Sequence, residues 1–93
     1  MEVRLDTDAE SFLLDLERSK QVSQTQLFDD LNDALDYLEA NHDVDTACRR
    51  QRYLMPDLGT MFGYAIQSTG DDWTILWRYL PDYILVHHFV KSD

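Results

Sequence analysis

From Met1 to Asp6 polar and apolar residues alternate, with Val3 and Leu5 set between Glu2, Arg4 and Asp6, which is the period of a short half-buried strand. The period then changes to that of a helix. Ala9, Phe12, Leu13 and Leu16 recur at helical spacing to about Ser19, and Thr7 followed by Glu10 fits a capping box at the start. A second box, Ser23 with Gln26, opens a longer helix with the apolar stripe Leu27, Phe28, Leu31, Ala34, Leu35 and Leu38. Asp29, Asp30, Asp33 and Asp36 line its other side, and the pattern ends near Asn41. A short link and matching stripes predict an antiparallel helix pair laid over a sheet.

The rest of the chain is strand-like. Arg50 to Met55 is a strand ended by the turn Pro56-Asp57 and Gly59; Thr60 to Gln67 is another, in which Gly63 marks a bulge or a close approach by a neighbour. Ser68 to Asp72 is a turn. Two dense apolar runs follow, from Trp73 and up to Lys91, joined by Leu80-Pro81-Asp82-Tyr83, and this reads as a β-hairpin turning at Pro81-Asp82. Its second strand is apolar on both faces, so it is expected in the middle of a sheet with cover on both sides. The predicted order is β-α-α-β-β-β-β: one α+β domain over residues 1–93, a two-helix hairpin packed on a mostly antiparallel sheet.

A loop symmetric about Pro81-Asp82 sets Leu80 opposite Tyr83, Arg78 opposite Leu85 and Leu76 opposite His87. Arg78 and His87 then lie diagonally on one face, while His88 falls with Ile75, Trp77, Val86 and Val90 as a core histidine satisfied by a backbone group. A loop of odd length reverses that assignment.

Charge adds an asymmetry. The 93 residues carry a formal charge of −10. Residues 1–47 hold three basic and thirteen acidic residues, whereas residues 48–93 hold five of each. An acidic helical half is joined to a neutral strand half that contains most of the cations and two of the three histidines. The lone Cys48 has no partner, no Cys/His spacing suits zinc, and no apolar run is long enough for a membrane span. The expectation is a cytoplasmic protein with no metal and no cofactor.

The order of a short strand, the helices DAESFLLDLERS and LFDDLNDALDYLEANHD, and strands ending in ILVHHFVKS resembles the RelE/ParE superfamily of toxins from toxin–antitoxin pairs. The ending VHHFVKS is especially similar to the HigB-like branch, where a strand runs through a His-containing pattern closed by Lys. The resemblance implies a ribosome-dependent mRNA endoribonuclease, or a degenerate derivative, silenced by an antitoxin protein. Such chemistry uses a base for the ribose 2′-hydroxyl, cations for the developing charge and an acid for the leaving oxygen. The residues that match are His87, Arg78 and Lys91 as catalytic candidates, with Arg50 or Arg52 as RNA-binding candidates. Two positions depart from the family pattern: Ala65 and Thr74 stand where members commonly carry Arg. Family nucleases are also typically basic, because phosphate affinity scales with Lys and Arg contacts.

Each candidate also has a structural reading. Arg49, Arg50 and Arg52 can pair with the acidic helices, the aromatics Tyr64, Trp73, Trp77, Tyr79 and Phe89 can be core, and Cys48 can be inert. A second functional class fits the acid balance. Asp29, Asp30, Asp33, Asp36 and Glu39 can form a stripe that mimics a phosphate backbone and blocks a basic nucleic-acid-handling protein, as small phage anti-restriction or anti-CRISPR proteins do. The two classes differ in geometry. The nuclease needs Arg78, His87 and Lys91 on one exposed face, and the mimic needs a continuous exposed acid stripe.

Overall fold

A computed structural model describes residues 1–92. The chain runs β1 (Val3–Leu5), α1 (Thr7–Arg18), α2 (Val22–Asn41), a 3-10 turn (Thr46–Arg49), β2 (Gln51–Met55), β3 (Gly59–Ser68), β4 (Asp71–Tyr79) and β5 (Ile84–Lys91). The five strands form one sheet in the order β1-β5-β4-β3-β2. β1 runs parallel to β5 and every other pair is antiparallel. This is the expected α+β architecture, with β5 between β1 and β4 in the interior of the sheet.

Both helices cover one face of the sheet. Their apolar stripes, Ala9, Leu13 and Leu16 from α1 and Leu27, Leu31, Ala34, Leu35 and Leu38 from α2, close over Phe62, Ile75, Trp77, Ile84, Val86 and Phe89. Trp77 is wholly buried there, and its indole N–H donates to the Cys48 carbonyl at 2.9 Å, so the ring's polar atom is satisfied inside the core. Cys48 is fully buried and burial pushes its thiol pKa up, in keeping with an inert role.

The helix starts differ from the expected capping boxes. Asp6, not Thr7, caps α1: its backbone is extended and its carboxylate accepts from the Thr7 N–H at 2.7 Å. α2 begins after Gln21, ahead of Ser23, and no side chain caps it. Extended cover for β5 is also absent on the second face. Leu85 is only half-buried, and His88 and Val90 are exposed, because among the described residues no element packs on the side of the sheet away from the helices.

Candidate functional site

The β4–β5 hairpin carries the site, and its register has one irregularity. Leu80 N–H donates to the Tyr83 carbonyl at 2.8 Å, and Tyr79, Arg78 and Trp77 face Ile84, Leu85 and Val86, as a symmetric loop requires. The pairing then slips, and Leu76 faces His88 instead of His87. His87 is thus the extra residue of a β-bulge, which re-aims the side chains around it. Beyond the bulge the face alternation is inverted. His88 comes to the open face opposite Leu76, with its side chain 52% exposed, so the core role assigned to it from symmetry is wrong.

His87 is buried, with 8% of its surface exposed, and both ring nitrogens are occupied. Arg78 Nε donates to His87 Nε2 at 3.0 Å, and His87 Nδ1 lies 3.1 Å from Asp6 Oδ2. Arginine has only donors, so Nε2 must be the accepting nitrogen and the Nδ1–H donates to Asp6. Asp6 therefore uses one oxygen to cap α1 and the other to fix the tautomer of His87. Its pKa is held below the ordinary carboxylate value, first by the Thr7 N–H and also by His87, against the opposing effect of desolvation. The diagonal contact of Arg78 with His87 was readable in the sequence. Asp6, 81 positions earlier in the chain, was not, since nothing local marks its side chain as a partner of β5.

Beside this array the open face is hollowed into a cleft of about 710 Å³. Tyr53, Met61 and Leu76 supply apolar wall, and His87 and His88 supply the nearby polar groups, their ring centroids 6.5 Å apart. Asp8, at the first turn of α1, stands 3.9 Å from His88 Nδ1, outside hydrogen-bond distance. Among the described residues the Arg78 side chain makes one hydrogen bond, through Nε to His87, and no ion pair. Its two η nitrogens are left for an external acceptor.

The remaining candidates lie elsewhere. Lys91 pairs with Trp73, on the helix side of the sheet and five register positions from Arg78, and its ammonium is 3.4 Å from Asp71. Arg52 faces Phe62, with its guanidinium 5.8 Å from that ring, again on the helix side, and Arg50 sits exposed before β2. Alternation along the strands accounts for this dispersal: Arg78 and Lys91 fall on opposite faces once the bulge is counted. The single exposed cluster of Arg78, His87 and Lys91 is thus not formed. Nor do Arg49, Arg50 and Arg52 form ion pairs with the helices; Arg49 donates at 3.4 Å to the Asp43 carbonyl.

On the far side of the molecule Asp29, Asp33, Asp36 and Glu39 are exposed along α2. Asp30 is half-buried and accepts from Gln26 Nε2 at 2.9 Å, and Glu39 accepts from the Val3 N–H at 3.3 Å. None of the five has a cationic partner among the described residues. Among those residues no group of three or more His, Cys, Asp or Glu side chains is arranged to hold a metal ion, and no helix is long and apolar enough to cross a membrane. Compared with known proteins, the chain matches no family model, no curated protein and no solved structure.

Proposed function

We propose that this chain is a RelE/HigB-like toxin of a toxin–antitoxin pair, an mRNA endoribonuclease whose site is reduced to Arg78 and His88 on the open face of the sheet. The observation that carries the reading is the Asp6–His87–Arg78 array. A buried histidine with both nitrogens occupied is a poor general base, but it is a good support for a guanidinium. Held by Nε, Arg78 presents its η N–H groups to a phosphate in a fixed orientation, which is the preorganised charge that stabilises a pentacovalent phosphate. His88, exposed on the same open face, takes the proton-transfer role first given to His87, since an imidazole nitrogen can both accept and donate a proton.

The acid balance does not defeat this reading. The carboxylates of α2 lie across the helix layer from the cleft, and a helix with its side chains is about 10 Å thick. That already exceeds the Debye length of about 8 Å at physiological salt, so they are largely screened from a phosphate bound over β4 and β5.

The test is induced expression with sequencing of cleaved transcripts, repeated with Arg78→Ala and His88→Ala. Arg78→Ala is expected to reduce cleavage by about 10²–10³-fold, the usual loss of one preorganised donor. His88→Ala is expected to cost about 10²–10⁴-fold. His87→Ala should act only through Arg78, leaving the pH profile unshifted while lowering the maximum rate. No growth arrest and no cleavage from the wild-type chain would reject the nuclease.

A second reading has its own observation, the exposed and unpaired acids of α2. In it the chain is a non-enzymatic mimic of nucleic acid that occupies a basic nucleic-acid-handling protein. That reading expects Asp29→Lys with Asp33→Lys to abolish function and Arg78→Ala to leave it intact, the reverse of the first.

A further inference from the structure

We infer that β2 is a docking edge for an extended segment of a partner protein, one that alternates acidic and apolar residues and adds to the sheet as a further strand. The inference stands on the geometry of β2 and not on the nuclease reading. The sheet has two edges, and they are not alike. β1 is three residues long, and its Val3 N–H already donates to Glu39 at 3.3 Å. β2 is five residues long and four of them are exposed, with Leu54 at 81%. Its pairing with β3 is unbroken, so alternate N–H and C=O groups point outward along the edge. Gln51–Met55 holds none of the lysine, proline or bulge that ordinarily protects such a strand.

The two faces of β2 fix the chemistry of the occupant. Arg52 pairs with Phe62 and so lies toward the helix side, whereas Gln51, Tyr53 and Met55 line the cleft on the open face. Residues that face each other across a strand pair share a side of the sheet, so the side chains of an added strand alternate in the same way. Those on the open side meet Tyr53 and Met55 and are apolar. Those on the helix side meet Arg52, with Arg50 exposed at the head of the strand, and are carboxylates.

Both arginines are available for such a contact. In a chain with 18 acidic residues, neither makes an ion pair among the described residues. Asp45, the acid nearest Arg50 in sequence, is engaged by the Tyr37 hydroxyl and the Ala47 N–H. Residues 46–56 contain three arginines and no carboxylate, so a basic strand, or this strand of a second copy, would set like charge against like. An acidic strand reverses the sign, and the acids elsewhere on the chain act against its docking anywhere else. RNA offers phosphates to the arginines but nothing that pairs with the open backbone row, which an extended peptide does.

The probe is a synthetic peptide of about seven residues that alternates glutamate and valine, long enough to span β2, added to the isotope-labelled chain. Binding is expected to shift the amide resonances of β2 and β3 and to slow hydrogen exchange at alternate amides of Gln51–Met55. The same peptide with lysine for glutamate should bind at least about tenfold more weakly. Arg52→Glu, at an exposed position, should reverse that preference with an unchanged far-ultraviolet circular dichroism spectrum. Of two glutamate–valine peptides N-methylated at alternate nitrogens, only the one that keeps the N–H groups facing β2 should bind, since a strand pairs through every second N–H. No binding at about 1 mM peptide, equal binding of the glutamate and lysine peptides, or equal loss with both methylation patterns would overturn the inference. So would an oligouridylate that binds through Arg52 where the peptide does not, or a wild-type chain that dimerises through β2 on its own. None of these results bears on cleavage by Arg78 and His88.

Discussion

Gly63 shows what one residue can specify. It sits between β2 and β4, opposite Gln51 and Leu76, and a Cβ there would lie 2.8 Å from Gln51 Oε1, 2.9 Å from Gln51 Cβ and 3.1 Å from Thr74 Cγ2. The sequence left open a bulge or a close approach, and the close approach is what the structure has. Gly63→Ala should therefore destabilise the fold by about 1–3 kcal/mol, the range for overpacking, measured by chemical denaturation. Histidines are less legible at this scale. His87 and His88 are adjacent and chemically identical, and only the pairing of β5 with β4 decides which is buried. No glycine marks the bulge, so spacing alone put His88 in the core. Asp6 was read as an alternating polar residue at the end of β1, because a cap and a histidine partner 81 positions away leave no local trace.

At the scale of elements, Asp6 joins the start of α1 to the bulge of β5. Its folded pKa lies below that of an unfolded aspartate, so its carboxylate adds stability above about pH 3.9 and that contribution is lost as pH falls through the folded value. Asp6→Asn should flatten this part of the stability profile below about pH 5, followed by urea midpoints at each pH. The elements themselves were largely legible. Apolar stripes at Leu13 and Leu16 and at Leu31, Leu35 and Leu38 are wide and regular, and their burial follows directly. Pro81-Asp82 gave the turn and the first register pairs of the hairpin. What alternation could not show is which face of the sheet receives the helices, because β5 is apolar on both. Nor could it show the bulge at His87, which separates Arg78 from Lys91.

For the whole molecule the governing quantity is the uneven distribution of charge. Exposed carboxylates without cations on α2, at Asp29, Asp33 and Asp36, repel one another and favour expansion. Raising ionic strength from about 0.01 M to 0.15 M shortens the Debye length from about 30 Å to 8 Å and should raise the melting temperature, read by differential scanning calorimetry. An unchanged or falling value would mean that these acids are engaged elsewhere. The same view of the entire chain gives the parallel pairing of β1 with β5 a temporal meaning. Val3 meets Ile84 and Leu5 meets Val86, so β1 has no partner in the sheet until β5, some eighty residues later, has been made. Helices α1 and α2 can form early, but neither can bury its stripe on a finished sheet. The array of Asp6, His87 and Arg78 closes at that same late step. A nascent chain therefore has no assembled site, and whatever this protein does begins only after β5 has been made.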